Sequence, residues 1–245
     1  MAAKPAIVVS HGAFHKPSQY SALINGLQDR GYEVHCPQLP SVGSSQENYE
    51  PDVAILTNTI ESLLAKDLDI VLMAHSYGGI PASATAASFL KPAGSSGHGV
   101  IALIYMCAFL PAAGQSVADL SGGEEWLGLD EHLGQGYVKP EMAQHALYTD
   151  VLDQNMVDEN IRQLRGQAAG TLLSKVDVEP WKEVRTTYII CELDQAILLP
   201  RQEEMAGRGG MIEAVRLKAA HSPWMSDLDN LVKVVVTVAE GKKFD

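Results

Sequence analysis

Residues 68–81 read LDIVLMAHSYGGIP, and the reading of this stretch decides the fold. Ile70, Val71, Leu72, Met73 and Ala74 form an apolar run that breaks at His75-Ser76-Tyr77-Gly78-Gly79. A small-residue helical pattern follows through Pro81, Ala82, Ala84, Ala86 and Ala87. A short, continuous apolar run bounded by turn residues predicts a strand buried on both faces. The stretch therefore predicts a strand, a sharp turn and a helix, with Ser76 at the apex. A G-x-S-x-G elbow keeps small residues two places either side of its serine, because the turn leaves no room there for side chains. Ala74 and Gly78 hold those places; alanine departs from glycine but stays small.

A serine hydroxyl is a weak nucleophile. It must stand clear of the backbone, within reach of a base and of donors that can hold an oxyanion. The same turn puts the Tyr77 amide at the start of a helix, where free N–H groups and the helix dipole favour negative charge. A serine between small residues can also simply cap a helix. The strand before it and the helix after it favour the nucleophile.

Outward from the elbow the alternation continues. Residues 6–10 (AIVVS) are a second buried-strand run, leading into the loop His11-Gly12-Ala13-Phe14-His15. Tyr20, Leu23, Ile24 and Leu27 then recur at helical spacing before Gly31. Residues 32–36 predict a short strand, 37–46 a Pro/Gly/Ser loop, and 52–65 a helix carrying Val53, Leu56, Ile60, Leu63 and Leu64. Residues 91–99 (KPAGSSGHG) read as a surface connection. Strands are predicted at 100–106, 186–192 and 211–217, and a last helix carries Leu228, Leu231, Val232, Val235, Val236 and Val238. Strands alternating with helices imply a parallel sheet with right-handed crossovers.

Between residues 111 and 181 the rhythm changes. The segment lacks strand-like runs, is rich in glycine, holds Trp126 and Trp181, and shows helical patterns at 139–147 and 158–164. One domain over residues 1–245 is expected, with a core of 1–111 and 182–245 and a helical cap inserted at about 112–181. Ligands bind at the carboxyl ends of open α/β sheets, where such a cap would sit. The alternative is a lateral decoration that never touches the site.

With 245 residues the chain can bury one substantial core, and its mean hydropathy of −0.01 is that of a soluble globular protein. Eighteen Lys and Arg against 30 Asp and Glu give a formal charge of −12. That balance speaks against nucleic acid or an anionic membrane as partner. Cys36, Cys107 and Cys191 sit in or beside apolar runs, an odd count without framework spacing, which predicts reduced thiols. The N-terminus shows no secretory h-region and no apolar run is long enough to span a membrane, so a cytoplasmic location is expected.

A serine nucleophile needs a base, and histidine serves near neutral pH. Of eight histidines, His221 stands in the short loop KAAHSPW between the last predicted strand and the last helix. That is the base's place when the order is nucleophile, acid, histidine. His75 lies on the wrong side of the turn to serve Ser76 and is expected to pack against the first loop. His35 falls in a strand; His98, His132 and His145 read as surface or cap residues. Asp194, after the strand ending CEL, would fix the histidine tautomer and stabilise the imidazolium, unless it is only an N-terminal cap. Glu192 is its rival but still belongs to the strand. The amides of the Gly12-Ala13 turn would face that of Tyr77 across an oxyanion, with Gly12 allowing close approach. His11 and His15 lack a third ligand nearby, and no metal is expected.

The segments VVSHGAFH (8–15), AHSYGG (74–79), AFLPAAGQS (108–116), ELDQAILLP (192–200) and AAHSPW (219–224) resemble the α/β-hydrolase superfamily, and more narrowly the plant methylesterase and hydroxynitrile lyase group. The resemblance spans almost the whole chain in the family order and is weakest in the cap. It implies an α/β-hydrolase fold with a helical cap, no cofactor, and Ser76, His221 and Asp194 as a triad. Lyases of the group carry a hydroxyl-bearing residue two places before the Phe14 position and a lysine directly after the histidine. This chain has Gly12 and Ser222 there, which favours the esterase branch.

The expected activity is hydrolysis of a small, largely apolar ester by way of an acyl-enzyme, with Ala13 and Tyr77 as the oxyanion hole. Gly12, Phe14 and Trp126 are the pocket candidates. The alternatives are a carbon–carbon or cyanohydrin lyase using the same triad for acid–base work, and a small-molecule receptor that keeps the pocket. A homodimer is left open.

Overall fold

The structure is a computed structural model that describes residues 3–122, 129–130, 135–136 and 140–244. In chain order its strands are β1 (Ala6–Ser10), β2 (Val34–His35), β3 (Ile70–His75), β4 (Val100–Met106), β5 (Leu129–Asp130), β6 (Gln135–Gly136), β7 (Gln167–Ala168), β8 (Arg185–Cys191) and β9 (Ile212–Leu217). The helices are α1 (Ser21–Gln28), α2 (Glu50–Leu64), α3 (Gly79–Ala86), α4 (Val117–Ser121), α5 (Pro140–Leu147), α6 (Gln154–Gln163), α7 (Ala169–Leu173), α8 (Leu199–Ala206), α9 (Pro223–Ser226) and α10 (Leu228–Ala239).

Six strands form the central sheet in the order β2-β1-β3-β4-β8-β9, and every pairing is parallel. The apolar runs of β1 and β3 are buried along their whole length, as a sheet covered on both faces requires. Side chains alternate between the faces: Ile7, Val9, Val71 and Met73 pack with Leu23 and Leu27 of α1 and Leu231 and Val235 of α10. Val8 and Leu72 pack on the other side with Leu56 and Ile60 of α2, Ile80 of α3 and Met205 of α8. Fully burying one such side chain contributes about 1.5–3 kcal/mol. This is an α/β-hydrolase fold.

The strand order places the site. The chain leaves β1 toward β2 on one side, then crosses back to β3 on the other. Between β1 and β3 the order reverses, and such a switch point opens a crevice at the carboxyl ends of the strands. The loop His11-Gly12-Ala13 follows β1, and Ser76 follows β3.

Residues 107–184, between β4 and β8, hold α4 to α7. The expectation of no strands there is corrected: β5, β6 and β7 form a small antiparallel sheet, and Val42 bridges to Gln167. Each of these strands is two residues long, too short for a readable alternation. The segment is bonded to loops at the carboxyl edge of the main sheet: Arg165 N–H donates to the Phe14 carbonyl at 2.9 Å, and Ala168 N–H to that of Ser41 at 2.9 Å. Trp181 is buried in the core and donates to the Pro111 carbonyl at 3.0 Å, so it closes the segment rather than lining a pocket. Among the described residues no helix is long and apolar enough to cross a membrane.

Candidate active site

Ser76 directly follows β3 and begins a short 3-10 turn that runs into α3. Its φ of 52° lies in the left-handed region, the strained conformation of an elbow. The reason residues 78 and 79 are glycine is contact with backbone. A Cβ on Gly78 would stand 2.1 Å from the Ser10 carbonyl oxygen, and one on Gly79 would stand 1.8 Å from that of Phe109. Ala74, by contrast, sits buried within the sheet between Ser10 and Tyr105, and its methyl is accommodated.

His221 and Asp194 meet at the end of β8 and β9. His221 Nδ1 and Asp194 Oδ2 are 2.8 Å apart and both side chains are buried. Asp194 serves two purposes, since its Oδ1 also accepts the amides of Ala196 at 2.7 Å and Ile197 at 3.0 Å. Those amides lie in the turn before α8, whose N-cap is Leu198, so Asp194 braces a turn with one oxygen and meets the imidazole with the other rather than capping the helix. Glu192 faces Arg216 at 3.4 Å on the surface and is no rival.

The His221 loop is tied to the elbow through its main chain. His75 Nε2 lies 2.9 Å from the His221 carbonyl oxygen, and the two rings are 4.6 Å apart. His75 Nδ1 meets the Tyr20 hydroxyl at 2.6 Å, and that hydroxyl also accepts the Gly12 amide at 2.9 Å. His75 therefore packs against the first loop, as expected of it. A Cβ on Gly12 would stand 2.7 Å from His75 Nδ1 and 3.2 Å from Ser76 Cβ. The space at Gly12 is needed by the elbow itself.

The Gly12 amide, expected to take part in the oxyanion turn, is instead engaged by Tyr20. Of the two amides expected in that turn, Ala13's remains the candidate donor. Ala13 is buried, and Phe14 is half-buried with a φ of 67°. The Tyr77 side chain points away from solvent and donates to Asp52 Oδ2 at 2.6 Å, while Asp52 Oδ1 accepts the Ser41 amide at 2.9 Å. Burial raises the Asp52 carboxyl above its usual range and pushes the Tyr77 phenol well above its own. Asp52 reads in sequence as an ordinary first-turn acid, and nothing local marks its partners. Trp126 and His132 lie outside the described residues.

The metal reading of the first loop finds no open ligand. His11 Nδ1 meets the Gly12 carbonyl at 2.9 Å and its Nε2 accepts the Leu39 amide at 2.9 Å. His15 Nδ1 meets the Ala13 carbonyl at 2.8 Å and its Nε2 the Tyr148 hydroxyl at 3.0 Å. Burial lowers His11 to about 4 and His15 to about 3, so both are neutral at pH 7. Donor atoms of His75, Cys107 and His221 also lie within 4.8 Å of one another. Of that group, His75 has both nitrogens bonded, His221 Nδ1 faces Asp194, and Cys107 Sγ contacts the His221 carbonyl at 3.4 Å, with burial lifting its thiol well above the usual range. His35 pairs with Glu33 and His98 with Asp69 near the surface, and His145 lies on α5.

A strained serine elbow beside a buried His–Asp pair, on this strand order, defines a class. The chain belongs to the alpha/beta hydrolase family, whose model matches residues 7–234. It is 29% identical over 243 residues to the alpha/beta hydrolase nvfD of Aspergillus novofumigatus, covering 96% of this chain and 97% of that one. Among solved structures, a pyrethroid hydrolase from Sphingobium faniae JZ-2 superposes with a TM-score of 0.76 at 22% identity, covering 96% of this chain and 97% of that one. Tomato methylketone synthase I superposes with a TM-score of 0.79 at 15% identity, covering 99% of this chain and 100% of the other.

Proposed function

We propose that the chain is a serine esterase cleaving small, largely apolar carboxylic esters through Ser76, His221 and Asp194. The observation that carries this reading is the buried 2.8 Å bond between His221 Nδ1 and Asp194 Oδ2, in a loop that His75, the neighbour of the left-handed Ser76, bonds at 2.9 Å. Asp194, an acceptor when ionised, keeps the proton on Nδ1 and leaves Nε2 as the basic nitrogen. Ser76 Oγ attacks the ester carbonyl as His221 Nε2 takes its proton. The amides of Ala13 and Tyr77 hold the oxyanion. His221 returns the proton to the departing alcohol, and a water that His221 then activates releases the acid.

The segment between β4 and β8 acts as the cap over this site, supported by its bonds to the Phe14 and Ser41 carbonyls. Phe14 and Trp126 are the proposed pocket residues, with Gly12 beneath the nucleophile. The likeness to pyrethroid hydrolases, which are ester hydrolases, supports the ester class. Gly12 and Ser222 stand where lyases of the resembling group carry a hydroxyl-bearing residue and a lysine, and this too favours hydrolysis.

The test is p-nitrophenol release from short acyl esters in a rapid-mixing experiment. A burst stoichiometric with enzyme, absent in Ser76→Ala, is expected. Steady-state release without any acyl-enzyme burst, persisting in Ser76→Ala, overturns the reading.

A further inference from the structure

One turn of the inserted segment is bonded to both halves of the site. Tyr148 directly follows α5, and Asp150 comes two residues later, before α6. The Tyr148 hydroxyl donates to His15 Nε2 at 3.0 Å, because His15 Nδ1 carries the proton given to the Ala13 carbonyl at 2.8 Å. On the other side, Asp150 Oδ2 accepts the Ala220 amide at 2.8 Å and the Ser226 hydroxyl at 2.6 Å. Ala220 precedes His221, and Ala13 carries the amide assigned to the oxyanion hole.

The sheet does not set the distance between these loops. The first follows β1 and the second follows β9, and β3, β4 and β8 lie between those strands. Nor is the first loop relaxed, since Phe14 is held at a φ of 67°. A direct tie across the carboxyl edge supplies what the strands leave free. Tyr148 is buried, and Gln19 reaches its hydroxyl at 3.5 Å while bonding the Asn160 carbonyl at 3.2 Å. His15 stays neutral, so the contact persists through the whole range in which an esterase base works.

We propose that Tyr148 and Asp150 are positioning residues, a clasp that sets the oxyanion loop at the correct distance from the base loop. The proposal rests on the serine-esterase reading. Misplacement of a reacting group by about 1 Å can cost on the order of 10²-fold in rate, so the clasp acts on kcat rather than on substrate affinity.

The experiment measures kcat and KM for p-nitrophenyl butyrate, and the labelling rate by a fluorophosphonate probe, for wild type, Ser76→Ala, Tyr148→Phe, Asp150→Ala, Asp150→Asn and the Phe/Ala double variant. Tyr148→Phe and Asp150→Ala each lower kcat and labelling about tenfold, with KM held within about twofold. Asp150→Asn keeps an acceptor oxygen and recovers most of the rate. The double variant falls by less than the product of the single effects, because both bonds belong to one turn. Unchanged kcat in the single variants, a loss carried by KM, or multiplicative effects overturn the clasp while Ser76 labelling stands. A wild type that the probe does not label overturns the esterase reading and the clasp with it. Should Asp150→Ala fail to fold, Tyr148→Phe, which keeps the ring, decides.

Discussion

The His75 imidazole donates its Nε2 proton to the backbone carbonyl of His221 across 2.9 Å, so the residue before the elbow serine holds the proposed base by its main chain. A carbonyl can only accept, which fixes the tautomer. Nδ1 is then free to accept from the Tyr20 hydroxyl at 2.6 Å, whose oxygen accepts the Gly12 amide at 2.9 Å. A continuous line of donors runs from the oxyanion loop, beneath the nucleophile, to the base loop.

Replacing His75 by Phe keeps the ring volume and removes both bonds, leaving the Tyr20 O–H proton without an acceptor and the His221 carbonyl with only the Cys107 Sγ contact. Each buried group left without a partner costs about 1–3 kcal/mol. His75→Phe should lose about 2–4 kcal/mol of stability, read from urea midpoints, and lower kcat as well. Wild-type stability in this variant would show that the line of bonds carries no weight.

The same burial makes stability depend on pH. Burial lowers His11 to about 4, His15 to about 3 and His75 well below its ordinary value, while in the unfolded chain each titrates near its usual ~6.5. Above that value all three are neutral in both states and contribute no slope. As pH falls below it, the unfolded chain binds protons that the folded one refuses, so stability is lost. With three such groups the slope approaches about 4 kcal/mol per pH unit. Asp52 works in the opposite sense, since its raised carboxyl favours the fold when protonated. Urea midpoints between pH 7 and pH 5 should fall steeply, and His75→Phe should flatten the fall by about a third.

Much of this was legible in the sequence, for physical reasons that differ from place to place. The elbow could be read because a doubly buried strand must be apolar throughout and because Gly78 and Gly79 sit against backbone. Residues 32–36 promised a longer strand than Val34–His35, for β2 is the sheet edge and pairs on one side only. The strands between β4 and β8 could not be read, since two residues carry no period. His75 was legible as a packing residue but not as the partner of a carbonyl 146 positions away. Asp52, Tyr148 and Asp150 look locally like any acid or aromatic at a helix end. Their roles exist only through contacts that the fold creates.

Gly78 and Gly79 give a sharper test of the elbow than the serine does. An added methyl at either meets a carbonyl oxygen that belongs to backbone, at 2.1 Å for Gly78 and 1.8 Å for Gly79, so no side-chain rotation relieves it. Gly78→Ala and Gly79→Ala should each cost more than about 3 kcal/mol or prevent folding. Gly94→Ala, a surface control at a φ of 88° with open space around it, should cost no more than about 2 kcal/mol, that of the left-handed backbone alone. Equal effects at all three would mean that the elbow is looser than its geometry states.

Asp52 and Tyr77 join the helix α2 to the head of the elbow. Tyr77→Phe removes the donor at 2.6 Å and leaves a buried carboxylate oxygen without it, at about 1.5–3 kcal/mol. Asp52→Asn keeps an acceptor for the Ser41 amide and removes the charge, so its cost should be smaller. Because burial raises the Asp52 carboxyl, the wild type is favoured while that group is protonated and loses the advantage as pH rises through its folded value. The Asn variant should therefore close on wild type, or pass it, as pH rises through the folded value of that carboxyl. The double variant should be less destabilised than the two single losses added, with a coupling of about 1–2 kcal/mol. Additive losses, with no convergence as pH rises, would show that the phenol and the carboxyl do not act as a pair. Since the Tyr77 amide is a proposed oxyanion donor, Tyr77→Phe should also lower kcat, which separates support of the site from support of the fold.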